Sequence, residues 1–153
     1  MRVAKLAVLI FLAASIPSAA TAQSAARESE RMMAHWRCSV WASMTNDPAG
    51  SQDHFERGLE SARTFVEAAR AGQISESDWN ETVPVGVALT MSGPTTDFIV
   101  GRMFGLISDD AYDRVAKRDA NGQLLAPEEY ILDQALQSVL ARNLLEESNC
   151  SVL

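Results

Sequence analysis

Across residues 24–45, apolar side chains recur at helical spacing, with Met33, Trp36, Val40 and Met44 on one stripe and Cys38 and Trp41 beside it. This periodicity predicts a first helix with a broad buried face. Asn46-Asp47-Pro48 breaks the pattern with a turn. Asp47 suits an N-cap, and Pro48 suits the first helical position, where a missing N–H costs nothing. A second helix is expected over residues 48–71, with Phe55, Leu59, Ala62, Phe65, Val66 and Ala69 as its apolar stripe. Its charged pairs Glu60/Arg63, Arg63/Glu67 and Glu67/Arg70 mark the solvated side. Gly72 is placed to end it in a left-handed conformation, and the short turn at residues 46–48 makes the two helices an antiparallel hairpin.

Ile74-Ser75-Glu76-Ser77-Asp78-Trp79 reads as a third helix start, with Ser75 as N-cap and Ile74 against Trp79 as a hydrophobic staple. Pro84 predicts a kink near Val83, with a second short segment reaching about Met91. Thr95 or Thr96 then caps a fourth, strongly apolar helix through Phe98, Ile99, Val100, Met103, Phe104, Leu106 and Ile107, reaching Val115 and Lys117 or splitting at Ser108. Gly101 and Gly105 lay a bare stripe on this helix, open to close packing by a neighbouring helix or to a ligand. Asn121-Gly122 marks a turn, and Pro127 is expected to open the last helix through Tyr130, Ile131, Leu136, Val139, Leu140 and Leu144. With no strand-like alternation and no internal repeat, the pattern predicts an all-α, single-domain bundle of about five helices.

Residues 1–22 stand apart from this pattern. Arg2 and Lys5 precede an apolar run over residues 6–14, and Ala20-Thr21-Ala22 forms a small-x-small cleavage site, so the segment reads as an export signal with Gln23 as the mature start. The run is too short to span a membrane, and no integral membrane segment is expected after cleavage. The helical domain is then residues 23–153, and its location is periplasmic or secreted. The whole chain carries a net charge of −7. Removing Arg2 and Lys5 leaves eleven basic against twenty acidic residues, a net of −9. Nucleic acid is a poor partner for such a surface.

Export also decides how Cys38 and Cys150, the two cysteines of the chain, are read. In an oxidising compartment an even count favours a disulfide, here tying the first helix to the C-terminal tail. Cys150-Ser151-Val152-Leu153 has the form of a prenylation box, but that modification is cytosolic and export removes the chain from it. Asn80-Glu81-Thr82 and Asn149-Cys150-Ser151 fit the N-glycosylation pattern, which matters only for a eukaryotic source.

Candidate chemistry is sparse. Asp119, Asn121, Gly122, Leu124 and Glu128 fall at positions three, five, six, eight and twelve of a loop that resembles the calcium loop of EF-hand proteins. Lys117 stands where that family places its first Asp ligand, so the resemblance implies a degenerate, non-binding copy. His35 and His54 come near one another if the faces of the hairpin agree, but neither has a helical metal-pair partner, and surface or helix-end positions are expected for both. Asp109, Asp110 and Asp113 form an acidic cluster that Arg114, Lys117 and Arg118 are spaced to neutralise. No phosphate loop, dinucleotide fingerprint, nucleophile elbow or zinc-protease motif occurs, so no catalytic residue, metal ligand or cofactor is assigned.

These features point to a small exported, non-enzymatic helical protein that binds a protein partner, as an inhibitor, immunity-type or envelope stress factor. The alternative is a carrier of a small apolar ligand or lipid, with residues 83–107 lining its cavity. A hydrolase that uses a histidine is the third reading.

Overall fold

In the computed structural model, residues 19–153 are described, with side chains from Ser24 onwards. The export segment expected over residues 1–22 lies outside them except for its last four positions, which open the first helix. Six helices follow in order: α1 (Ala19–Met44), α2 (Pro48–Arg70), α3 (Glu76–Glu81), α4 (Val85–Ala88), α5 (Thr96–Ala116) and α6 (Gln134–Glu147). The described residues contain no strand, only one isolated bridge between Arg118 and Leu124.

Local signals set most helix ends where expected. Asp47 Oδ1 accepts from the Gly50 amide at 2.9 Å, starting α2. Asn46, with φ 60°, supplies the left-handed step between α1 and α2. Gly72, at φ 68°, turns the chain after α2, and its amide and that of Gln73 close back on the Ala69 and Ala68 carbonyls. Ser75 Oγ accepts from the Asp78 amide and Thr95 Oγ1 from the Phe98 amide, capping α3 and α5. Pro84 separates α3 from the single turn of α4, and α5 runs unbroken through Ser108.

The last helix corrects its expected start. Pro127 opens only a three-residue 3-10 turn, Pro127–Glu129, and α6 begins seven residues later at Gln134. Ile131 donates its amide to the Ala116 carbonyl at 2.8 Å, and Gln137 Nε2 donates to the Ile131 carbonyl at 2.6 Å. This anchoring holds the stretch before α6 extended against the end of α5 and satisfies an otherwise orphaned helix-terminal carbonyl. Asp133 then caps α6 by accepting from the Ala135 and Leu136 amides.

Two buried clusters hold the bundle. The larger joins Met32 and Trp36 of α1, Phe65 and Val66 of α2, Val87 of α4, and Ile99, Met103 and Ile107 of α5. Trp36 and Phe55 both meet Phe104 edge-on, at ring distances of 5.4 and 5.2 Å, a favoured aromatic geometry. The smaller cluster contains Cys38, Trp41, Ala111, Val115, Ala141 and Cys150. Trp41 Nε1 donates to the Ala111 carbonyl at 3.0 Å, tying α1 to α5. The expected Cys38–Cys150 disulfide is present, with a Cα–Cα distance of 5.8 Å. It fastens the tail to α1, whereas α6 buries only Ala141 completely.

Candidate functional site

The hairpin of α1 and α2 brings His35 and His54 together across nineteen residues of sequence, with Nδ1 atoms 3.1 Å apart. His35 is buried, which corrects the expected surface position. The ring centroids lie 5.4 Å apart, about the Nδ1–Nδ1 distance plus a ring radius at each end. The two nitrogens therefore point at each other along one line, as an N–H···N hydrogen bond requires. Ligands of one tetrahedral ion would instead converge on a point off that line. One imidazole donates its Nδ1–H and the other accepts, so the bond needs at least one neutral ring.

Burial lowers the pKa of His35 first, with His54, Arg57 and Arg31 acting in the same direction and Asp53 against it. Burial also lowers that of His54, with Arg57 adding to the effect and Asp53 and Asp47 opposing it. Both folded-state values thus fall below the ordinary imidazole value, and the unfolded chain binds more protons than the folded one as pH drops through the mid-sixes. Stability is complete above that range and is lost progressively below it. The melting temperature is expected to be lower at pH 5 than at pH 7.5 in thermal unfolding. Replacing both histidines by Gln should flatten that part of the profile.

Beside His35 a cleft of about 490 Å³ runs between Glu28 and Arg31 on one side and Arg57 and Glu60 on the other. Its arginines are engaged, Arg31 with Glu28 at 2.7 Å and Arg57 with Asp53 at 3.0 Å. Among the described residues neither imidazole is hydrogen-bonded to a hydroxyl or a carboxylate, so the arrangement supplies no nucleophile–base pair. No group of three or more His, Cys, Asp or Glu side chains converges as a metal site among the described residues.

The acidic cluster on α5 divides. Asp110 pairs with Arg37 at 3.1 Å and with Arg114 at 3.2 Å, and Asp113 pairs with Lys117 at 2.7 Å. Asp109 has no ion pair among the described residues. The Arg37 contact crosses from α1 to α5 and was not legible in the sequence.

The loop that resembles a calcium site has other work. Asp119 Oδ1 accepts from the Asn121 and Gln123 amides at 2.9 and 2.8 Å, which holds its carboxyl below the usual range. The Arg118–Leu124 bridge closes a small hairpin, Leu124 is exposed, and no helix follows directly after Glu128. The carboxylate is thus spent on backbone donors, and the flanking helix pair of an EF-hand is missing.

An apolar pocket of about 220 Å³ opens between α1, α4 and α5, lined by Met33, Gly86, Val87, Leu106 and Ile107 with Arg37 and Asp110 at its edge. Next to it Val85 and Leu89, one helical turn apart, are 74% and 75% exposed. Sequence reasoning placed these two in a helix without seeing that one turn after Pro84 is too short to bury both of its sides. Among the described residues Gly101 and Gly105 pack against no neighbouring helix: a Cβ built on either meets nothing within 4 Å. The intimate helix crossing lies instead at Gly58, where an added Cβ would sit 2.5 Å from Trp36 Nε1. No helix among the described residues is long and apolar enough to cross a membrane. Comparison with protein-family models, with curated proteins and with solved structures gives no match.

Proposed function

We propose that this is an exported, non-enzymatic helical protein that holds a protein partner through α4 and the adjoining side of α5. The observation that carries the reading is the pairing of two exposed aliphatic side chains, Val85 and Leu89, with a pocket sized for one apolar side chain. Apolar anchors around a small pocket with a charged rim are what binding hot spots consist of. The partner chemistry that fits is a segment offering an aliphatic side chain to the pocket and basic residues on its flanks, because this chain carries a net charge of −7.

Export is supported by the signal pattern of residues 1–22 and by a disulfide of the kind that persists in oxidising compartments. Among the described residues the first member of the buried core is Ala26, beyond the expected cleavage after Ala22. The carrier reading has less room: ligand pockets usually enclose about 300–1,000 Å³, more than the α4–α5 pocket. The larger cleft between α5 and α6, about 510 Å³, falls within that range but lies outside residues 83–107, and it is lined by Leu125, Ile131, Leu140 and Leu144 with Arg114 and Glu147 at its edge.

Capture from envelope extract with the native protein and with a Val85→Asp/Leu89→Asp variant tests the proposal. Both substitutions fall on exposed positions and should leave the circular dichroism spectrum unchanged. The expected result is a protein captured by the native chain at physiological salt and lost with the variant. Equal capture by both, or none by either, overturns the reading.

A further inference from the structure

The outer face of α5 is unpartnered among the described residues, yet its exposed aromatic side chains stand symmetrically about Gly105. Phe98 and Tyr112 stand seven residues to either side of that glycine, and both are exposed, at 50% and 40%. Between them Gly101 and Gly105 leave the backbone bare, with open space where a Cβ would project. Charge comes within one residue of the same symmetry: Arg102 lies three residues before Gly105 and Asp109 four after it, both on the same side of the aromatic line. Asp109 is the member of its acidic cluster left without an ion pair among the described residues. Arg102 rests over the Phe98 ring and uses Nη1 on the Ser92 carbonyl at 2.7 Å, while its Nε and Nη2 make no hydrogen bond among the described residues.

From this self-complementary pattern we infer that α5 is the contact face of a homodimer, in which a second copy of this chain packs antiparallel with its twofold axis at Gly105. An isologous contact requires each residue to meet its mirror position. The axis at Gly105 sets Phe98 opposite the second copy's Tyr112, and Arg102 one residue along from its Asp109, an axial offset of about 1.5 Å that the long arginine side chain spans. Same-side flanking positions pair across an antiparallel helix contact, so each opposite-charge pair occurs twice. Small residues at the centre permit the short interaxial distance at which the terminal aromatic rings meet. A hetero-partner has no need of opposite charges set near mirror positions or of matched aromatic ends. The inference does not depend on the α4 pocket, which faces a different side of α5.

Sedimentation equilibrium of the disulfide-intact chain, without residues 1–22, tests it. The native protein should associate to a dimer as concentration rises. Arg102→Asp and Asp109→Arg should each weaken dimerisation about tenfold, because each reversal places like charges at two symmetry-related contacts. The double reversal Arg102→Asp/Asp109→Arg should restore it. Gly105→Cys, under mild oxidation, should yield a covalent dimer through position 105. All three positions are exposed, so unchanged circular dichroism is expected for every variant. A native chain monomeric at all concentrations, or a dimer indifferent to both single reversals, overturns the inference.

Discussion

Replacing Cys38 and Cys150 by alanine is expected to produce the largest loss of stability of any pair of substitutions in this chain. The bond spans 112 positions of sequence, and closing a loop of that length restricts the unfolded chain by about 4–5 kcal/mol in the chain-entropy account. That is a large fraction of the ~5–15 kcal/mol that a domain holds in total. The effect should not be uniform. The larger core does not contain either sulfur, whereas the smaller cluster consists of Cys38, Trp41, Ala111, Val115, Ala141 and Cys150. Because α6 buries Ala141 alone and leaves Leu136 and Val139 about half exposed, it depends on that cluster for its place. Amide exchange should therefore accelerate first in α6 and the tail, with α1 and α2 protected longest. Urea unfolding and hydrogen exchange of the double-alanine protein check both parts. An unchanged midpoint would show that the crosslink constrains nothing.

Gly58→Val is expected to follow closely, for a reason confined to one contact. At Gly58 α2 passes so near α1 that a Cβ would press on the Trp36 indole. Trp36 is fully buried, and its Nε1 donates to the Phe55 carbonyl at 3.3 Å. It also meets Phe104 edge-on. The indole cannot retreat without giving up these contacts, and overpacking of this kind costs about 1–3 kcal/mol or more. Even Gly58→Ala should destabilise, although alanine is about 1 kcal/mol the better helix former. Gly101→Ala, at an exposed mid-helix position with open space around it, should instead stabilise the monomer in dilute solution by about 0.5–1 kcal/mol. Opposite signs for one substitution at two helix glycines, read by thermal unfolding, distinguish close approach from mere absence of a side chain.

Features determined by neighbours in sequence were legible before any tertiary information. Asp47 with Pro48, Gly72, Ser75 and Thr95 set helix ends because each acts through a hydrogen bond or dihedral within a few residues. The same locality explains the failure at Pro127. Its preference for a first helical position was met by a single 3-10 turn, and the contact that postponed α6 was the Ile131 amide on the Ala116 carbonyl, fifteen residues away. The calcium-loop resemblance misled similarly, since spacing places Asp119 but does not say that its carboxylate closes an Asx turn.

The candidate sites depended on helix rotation, which an apolar stripe defines only broadly. His35 and His54 were placed at matching heights of the hairpin, but whether they met was a question of rotational phase, answered by their 3.1 Å separation. Gly101 and Gly105 were marked as a close-packing stripe on a helix apolar enough to bury several faces. The core took Ile99, Val100, Met103 and Ile107 and turned the glycines outward. The all-α class, the order of the helices, most of their ends and the pairing of two cysteines were readable along the chain, because these follow from local hydrogen bonding, periodicity and count. Which glycine marks a crossing and which lies bare, which acid has no ion pair among the described residues, and which histidines share a proton emerged from the folded packing alone. Those outcomes are set by how several helices divide one buried volume, and no short stretch of chain encodes that division.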